Sequence, residues 1–400
     1  MVTMDDTVTL PVPVLAFDAG LVAKYDGFGP RYTSYPTADR FHDGFAAAQY
    51  IEALAARNHD RAAQPLSLYV HLPFCNSICY YCACNKVLTK DHGRSAKYLR
   101  YLEREIALVG GLIEGSPPVT QLHWGGGTPT FLSHEEMGTL MASLRGHFHF
   151  ADDAEISIEV DPRKVGADTI RFLAGLGFNR ISVGIQDFDP EVQKAVNRVQ
   201  SEAETLTVID TARATGFVSV NADLIYGLPR QTVAGFATTL DRVIAAAPDR
   251  IALYSYAHVP HLFKPQRRIA INELPSPTDK LGILALAIDK LTRAGYLYVG
   301  MDHFAKPGDE LAVAQRERQL HRNFQGYSTQ PDCDLIALGI SSISKVGLSA
   351  FTTSAQSWPS ARNAEVLASS TWPIVAASWS TNRQPEGRSG RRASSEPRGL

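Results

Sequence analysis

Between residues 66 and 257 a short apolar run is followed by a segment of helical spacing, again and again. The runs are LSLYVHL (66–72), VTQLHW (119–124), EISIEV (155–160), NRISVGIQ (179–186), SVNADLIYG (219–227) and RIALYSYA (250–257). Helical spacing is expected over 94–113, 134–147, 166–176, within 190–215, and over 231–247. Strands that alternate with helices must pair in parallel, because each helix carries the chain back across the sheet by a right-handed crossover. Six such units predict an α/β chain built as a partial or whole (β/α) barrel. Function in such a barrel sits on the loops at the strands' C-terminal ends. An open, doubly wound sheet is the rival arrangement.

The flanks read differently. Residues 1–60 form an arm, with RYTSYPTADRF (31–41) its most distinctive part and a helix expected over 46–58. Residues 61–346 carry the barrel and its extension, including a helix over 276–296 that Ser276 can cap, and a strand and loop in GYLYVGMDHFAKP. The segment 347–400 is an aberrant tail of low order. Residues 351–400 hold ten Ser, six Arg and four Pro but no Lys, Asp or Tyr, a composition typical of disordered segments. The abrupt change near Gly347–Ala350 is what a slip of reading frame would produce.

Composition narrows the class. The formal net charge of −2 gives no global attraction to nucleic acid or anionic membrane. No apolar run reaches 18 residues, and the first residues carry acidic groups where a secretion signal needs basic ones. The expectation is a soluble, cytoplasmic, monomeric protein. Its five cysteines are too few for a disulfide framework, yet four of them crowd into CNSICYYCAC (75–84). Clustered thiols of this kind favour metal or redox chemistry.

Cys75, Cys79 and Cys82 make a C-x3-C-x2-C triplet on the loop after the first strand. Three thiolates so close can wrap one face of a [4Fe–4S] cube and leave one iron open, whereas four would saturate it. The alternative is structural zinc, which usually takes two separated pairs; no second pair is present. One unit later comes GGGTP (125–129), whose glycines let a ligand approach the backbone, although a tight turn explains them too. Glu159, Gln186, Asp223 and Ala257 mark the ends of the next four strands, where polar groups converge on one mouth.

At this point the segments carry a resemblance. YVHLPFCNSICYYCACNK, LHWGGGTPT, EISIEVDP, SVGIQDFD, VNRVQ, NADLIYGLP, YAHVP, MDHFA and HRNFQGYSTQ, in this order, closely resemble the oxygen-independent coproporphyrinogen III oxidases of the radical S-adenosylmethionine (SAM) superfamily. The match runs from about Arg31 to about Val346. The resemblance implies a partial (β/α)6 barrel with one [4Fe–4S] cluster on Cys75, Cys79 and Cys82. It implies two SAM molecules, one against positions matching Tyr69, Gly126, Glu159 and Ile343. The second would meet Tyr81, Gly127, Thr128, Gln186, Arg198, Asp223 and Ala257. The implied substrate is coproporphyrinogen III, two of whose propionates become vinyl groups through a 5′-deoxyadenosyl radical, yielding protoporphyrinogen IX. A one-electron donor such as flavodoxin or ferredoxin is the implied partner. Arg31 matches a family segment near the substrate and is a candidate for a propionate. Cys84 is not expected as a fourth ligand; it is a candidate catalytic residue. Related haem-binding chaperones carry an aromatic residue there, so the intact C-x-C favours the oxidase over a chaperone. The family continues past the Ile343 region with a helical domain that 351–400 does not resemble, so a truncated, inactive homologue is the further alternative.

Overall fold

In this computed structural model the described residues are 47–323, 325–330, 333–347, 349–353 and 374–378, with 18, 20 and 24. Arg31 and the arm around it, and most of the expected tail, lie outside them.

The alternation folds as expected. After helix α1 (Ala47–Arg61) come β1 (Leu66–Leu72) and the short strands β2 (Phe74–Cys75) and β3 (Val87–Leu88). There follow α2 (His92–Gly111), β4 (Pro118–Gly126), α3 (His134–His147), β5 (His149–Val160), α4 (Ala167–Gly175) and β6 (Arg180–Gln186). The segment 190–215 splits into α5 (Pro190–Ala195) and α6 (Glu202–Ala214), and β7 (Ser219–Tyr226), α7 (Val233–Ala246) and β8 (Arg250–Ser255) complete the repeat. The split has a local cause. Asn197 adopts a left-handed φ of 54°, and Ser201 with Glu204 builds a new capping box for α6. Ser276 caps α8 (Pro277–Arg293) through the Asp279 N–H, as its sequence position suggests.

The sheet runs β1-β4-β5-β6-β7-β8, every neighbour parallel. Strand order follows chain order without reversal, so each right-handed crossover leaves its helix on the same face. A doubly wound sheet needs a point where the order reverses, and this sheet has none between β1 and β8. Beyond β8 lie the hairpin strands β9 (Leu297–Gly300) and β10 (His303–Ala305), reached after α8. Helix α9 (Glu310–Arg316) and the separate hairpin β11 (His321–Asn323) and β12 (Gly326–Ser328) follow. The chain then returns to β1, where β13 (Asp334–Leu338) pairs parallel to it. β14 (Ile343–Val346), β15 (Ser349–Thr353) and β16 (Ile374–Ser378) extend that edge antiparallel. The boundary drawn after Val346 therefore falls within the β14–β15 hairpin, and the sheet continues past it.

The two faces of the sheet explain a sequence that looks polar for a core. Along β5, Ala154, Ile156, Ile158 and Val160 are buried, while Glu155, Ser157 and Glu159 alternate with them and stay partly accessible. A strand's period of two sends the apolar set under the helices and the polar set into the barrel's interior. Trp124, fully buried, meets Phe178 edge-on with ring centroids 5.0 Å apart in that outer layer. The buried Arg57–Asp334 ion pair, at 3.2 Å, ties α1 to β13. No helix among the described residues is long and apolar enough to cross a membrane.

Candidate active site

The cysteine loop leaves β2 and is pinned from both sides. The Tyr80 N–H donates to the Val196 carbonyl at 2.9 Å, and Asn197 Nδ2 donates to the Ile78 carbonyl at 2.7 Å. Lys86 Nζ closes the far end by donating to the Cys82 and Cys84 carbonyls, at 3.2 and 3.1 Å. Beside it the glycine loop at the end of β4 is joined backbone to backbone. Gly127 N–H donates to the Leu72 carbonyl at 2.9 Å and Thr128 N–H to the Phe74 carbonyl at 2.8 Å. Both glycines are required by space. A Cβ on Gly126, whose φ is 108°, would lie 2.6 Å from the His71 ring, and one on Gly127 would lie 2.6 Å from the Pro73 backbone.

These two loops and the mouths of β5 to β7 enclose a cavity of about 170 Å³. Cys75, Cys79, Tyr81, Cys82, Cys84, Gly126, Gly127, Thr128, Glu159, Gln186, Arg198 and Asp223 all lie in its wall, together with Asp161 and Arg163. Tyr81, Glu159, Ser182, Gln186 and Asp223 also line a second cavity of about 440 Å³, the barrel interior. That volume is within the range of small-molecule sites. Three expected residues are in neither wall. Tyr69 stands one layer back, stacked on His123 at 5.8 Å, with its hydroxyl 3.1 Å from His71 Nδ1. Ala257 follows β8 and its carbonyl accepts from Gln266 Nε2 at 3.2 Å, while Ile343 opens β14, two strands from β1. Asp223 corrects a strand boundary: it lies inside β7, three residues before Tyr226, and reaches the interior by alternation rather than by ending the strand.

The electrostatics are differentiated. Burial pushes the Cys75 thiol up to about 11, against the Thr128 hydroxyl that donates to it at 3.6 Å. The hydrogen bond from Cys84 brings Cys82 down to about 6. Cys79 faces two guanidinium groups, Arg198 Nη1 at 3.5 Å and Arg163 Nη2 at 3.6 Å. Burial alone would raise the Glu159 carboxyl, but His123 and the Gly126 N–H outweigh it and hold it below its usual value. The Glu159 side chain keeps 44% of its surface accessible, as a cavity-lining acceptor does. Burial pushes Asp223 up to about 6, although Ser182 Oγ donates to it at 2.6 Å and Asn221 Nδ2 at 2.8 Å. At β6 the bare Gly184 leaves room for Arg198, whose Nη2 donates to the Gly184 carbonyl at 2.7 Å, and Gln186 turns inward with φ of 67°.

Several residues here escaped the sequence reading. His123, Ser182 and Asn221 line the interior, and so do Asn323, Gln325 and Tyr327 of the β11–β12 hairpin. Ser328 Oγ donates to Gln121 Oε1 at 3.1 Å and Thr329 Oγ1 to Glu155 Oε1 at 2.9 Å, fixing that hairpin against the inner face. The signal for the first three was available: polar residues spaced by two within otherwise apolar strands.

The radical SAM superfamily matches residues 69–243. The oxygen-independent coproporphyrinogen III oxidase of Pseudomonas aeruginosa is 54% identical over 335 residues, covering 83% of this chain and 72% of that protein. Its Escherichia coli counterpart is 51% identical over 338 residues, covering 84% of this chain and 73% of that protein. A solved structure of Escherichia coli coproporphyrinogen III oxidase, described as a radical SAM enzyme, superposes with a TM-score of 0.84 at 46% identity. It covers 91% of this chain and 81% of that one. The chain belongs to the oxygen-independent coproporphyrinogen III oxidase family. Radical SAM proteins work with a [4Fe–4S] cluster and SAM, so the donor set can be tested against both. Among the described residues no three His, Cys, Asp or Glu side chains converge on one point as a single metal ion requires. Three thiols that each bind a different iron of a cube need not converge, and all three line one cavity. For SAM, an acceptor-lined pocket with open donors is needed. Arg198 Nε, from the wall of the smaller cavity, and Asn221 Oδ1, from that of the larger, are buried without a hydrogen-bond partner, and Glu159 and Asp223 line both cavities. The residues fit both groups.

Proposed function

We propose that this chain converts coproporphyrinogen III to protoporphyrinogen IX without oxygen, by oxidative decarboxylation of two propionates to vinyl groups. The observation that carries it is the single cavity walled by the cysteine triplet, the glycine loop and the inward-facing carboxylates of successive strands. The names of relatives more than half identical point to the same reaction. Cys75, Cys79 and Cys82 would hold the cluster. Bound there, the cluster and SAM would supply the one-electron radical chemistry that activates a propionate side chain.

The chain's own residues do the rest. Gly126 and Gly127 let the end of β4 lie against His71 and Pro73, which keeps the glycine loop beside the cysteine loop in the cavity wall. Glu159 and Asp223 can accept from hydroxyl or amino groups, and Arg198 can donate to a carboxylate. A second SAM is proposed beside the first, and Tyr81, Gln186 and Asp223, which border both cavities, are its candidate contacts there. Tyr69 and Ile343 for the first SAM, and Ala257 for the second, are carried as candidate contacts on the family resemblance alone. Cys84, in the wall but outside the triplet, is the candidate to meet substrate. Arg31 is a candidate for a propionate. A monomer reduced by flavodoxin or ferredoxin completes the proposal.

The test is anaerobic reconstitution with iron and sulfide, followed by SAM, a low-potential reductant and coproporphyrinogen III. Formation of methionine, 5′-deoxyadenosine and protoporphyrinogen IX is expected. Haem binding without SAM cleavage refutes the proposal.

A further inference from the structure

Cys79 stands apart from its two companions in what surrounds its sulfur. Cys75 meets the neutral Thr128 hydroxyl, and Cys82 meets Cys84. Lys86 lies beside Cys82, but Cys79 is the thiol that faces two guanidinium groups, and their charge is organised. Asp161 directly follows β5 and accepts from the Arg163 N–H at 3.1 Å, which fixes the turn over Pro162–Lys164. Arg163 folds back onto Asp161, with Nε 2.9 Å from Oδ1 and Nη2 2.6 Å from Oδ2. The same Nη2 then reaches Cys79 Sγ at 3.6 Å. Arg198 approaches from α5's far side, with Nη1 3.5 Å from that sulfur and 3.4 Å from Asp161 Oδ2. The three charged side chains keep only 11%, 11% and 8% of their surfaces accessible.

A buried ion cluster of this kind contributes little to net stability. Its place against one ligand sulfur suggests another role. Reduction potentials of iron–sulfur clusters respond to net charge, to hydrogen bonds at the sulfurs and to solvent exposure. A guanidinium donating to a thiolate stabilises the more negative, reduced cluster. A carboxylate shared by both arginines does the opposite.

We propose that Arg163 and Asp161 tune the reduction potential of the cluster held at Cys79, Arg163 raising it and Asp161 lowering it. The inference rests on the assignment of Cys79 as a cluster ligand. The step concerned is the transfer of one electron from a low-potential donor to the oxidised cluster, with no bond made or broken. Arg163 is a positioning residue here, acting through Cys79.

The experiment is a dithionite redox titration of reconstituted chain, followed by electron paramagnetic resonance at one pH, with iron and sulfide counted for each sample. R163Q is expected to make reduction about tenfold less favourable, about 59 mV more negative for one electron. R163K, which keeps the charge but not the fork, should move less, and D161N should move the potential the other way. Asn retains the acceptor that caps the turn, so D161N reads charge rather than folding. If R163Q loses its cluster, the sign of the D161N shift decides. Unchanged potentials, or R163Q and D161N shifts of one sign, overturn the inference while leaving the function intact. A wild-type chain that binds no iron overturns both.

Discussion

Gly127→Ala probes the joint on which the whole site depends. The added methyl would sit 2.6 Å from the Pro73 carbonyl carbon and 2.8 Å from the Pro73 and Phe74 oxygens. All three are backbone atoms, so no side chain can swing aside. Relief from 2.6 Å to the 3.4 Å of ordinary contact means parting the glycine and cysteine loops by roughly 0.8 Å. That would stretch the Gly127–Leu72 and Thr128–Phe74 bonds, now 2.9 and 2.8 Å, past useful length. Overpacking together with one or two lost backbone bonds costs about 2–4 kcal/mol. Gly138→Ala, inside α3 with nothing within 4 Å of its new methyl, is the control. It should be neutral or stabilise by about 0.5–1 kcal/mol. Urea unfolding of both variants measures the stabilities, and iron bound after reconstitution measures the effect on the cysteine loop. A G127A chain within about 0.5 kcal/mol of wild type, with full iron, would refute the reasoning about the joint.

Three further outcomes are expected. Alanine at Cys75, Cys79 or Cys82 should abolish bound iron, whereas C84A should retain it and lose coproporphyrinogen conversion; iron and sulfide counts beside product chromatography separate these. D334A strips the partner from the buried Arg57 and the acceptor from the Gly347 N–H, 2.9 Å away, and should cost about 3–5 kcal/mol in urea unfolding. The double variant R57M/D334L should recover most of that loss. Asp223 is pushed from 3.8 up to about 6 in the folded chain, so its contribution to stability is full below pH 4 and fades as pH rises to about 6. The stability of wild type relative to D223N should therefore fall by at most about 3 kcal/mol between pH 4 and 6. A difference constant across that range would rule this out.

The six-unit alternation was legible because it is written locally. Apolar strand runs and helical spacing need only near neighbours, and the cap at Ser276 is local as well. Helical segments were legible within 190–215, but not where they part: the break runs from Val196 to Ser201, around the left-handed Asn197. The triplet's chemistry was also visible, because ligand spacing within one loop is a property of sequence.

What the chain alone determines is thus its repeat, its strand and helix register, and the thiols that come together on one loop. Tertiary structure decided the rest. Only the monotonic strand order shows that the helices share one face and that the polar period of β5 points inward rather than to solvent. Only folding brings Arg198 to Cys79 across 119 positions, and Arg163 to it across 84. Tyr69, Ala257 and Ile343 are absent from both cavity walls for the same reason: which residues line a cavity depends on how neighbouring strands pack, and no local spacing encodes that.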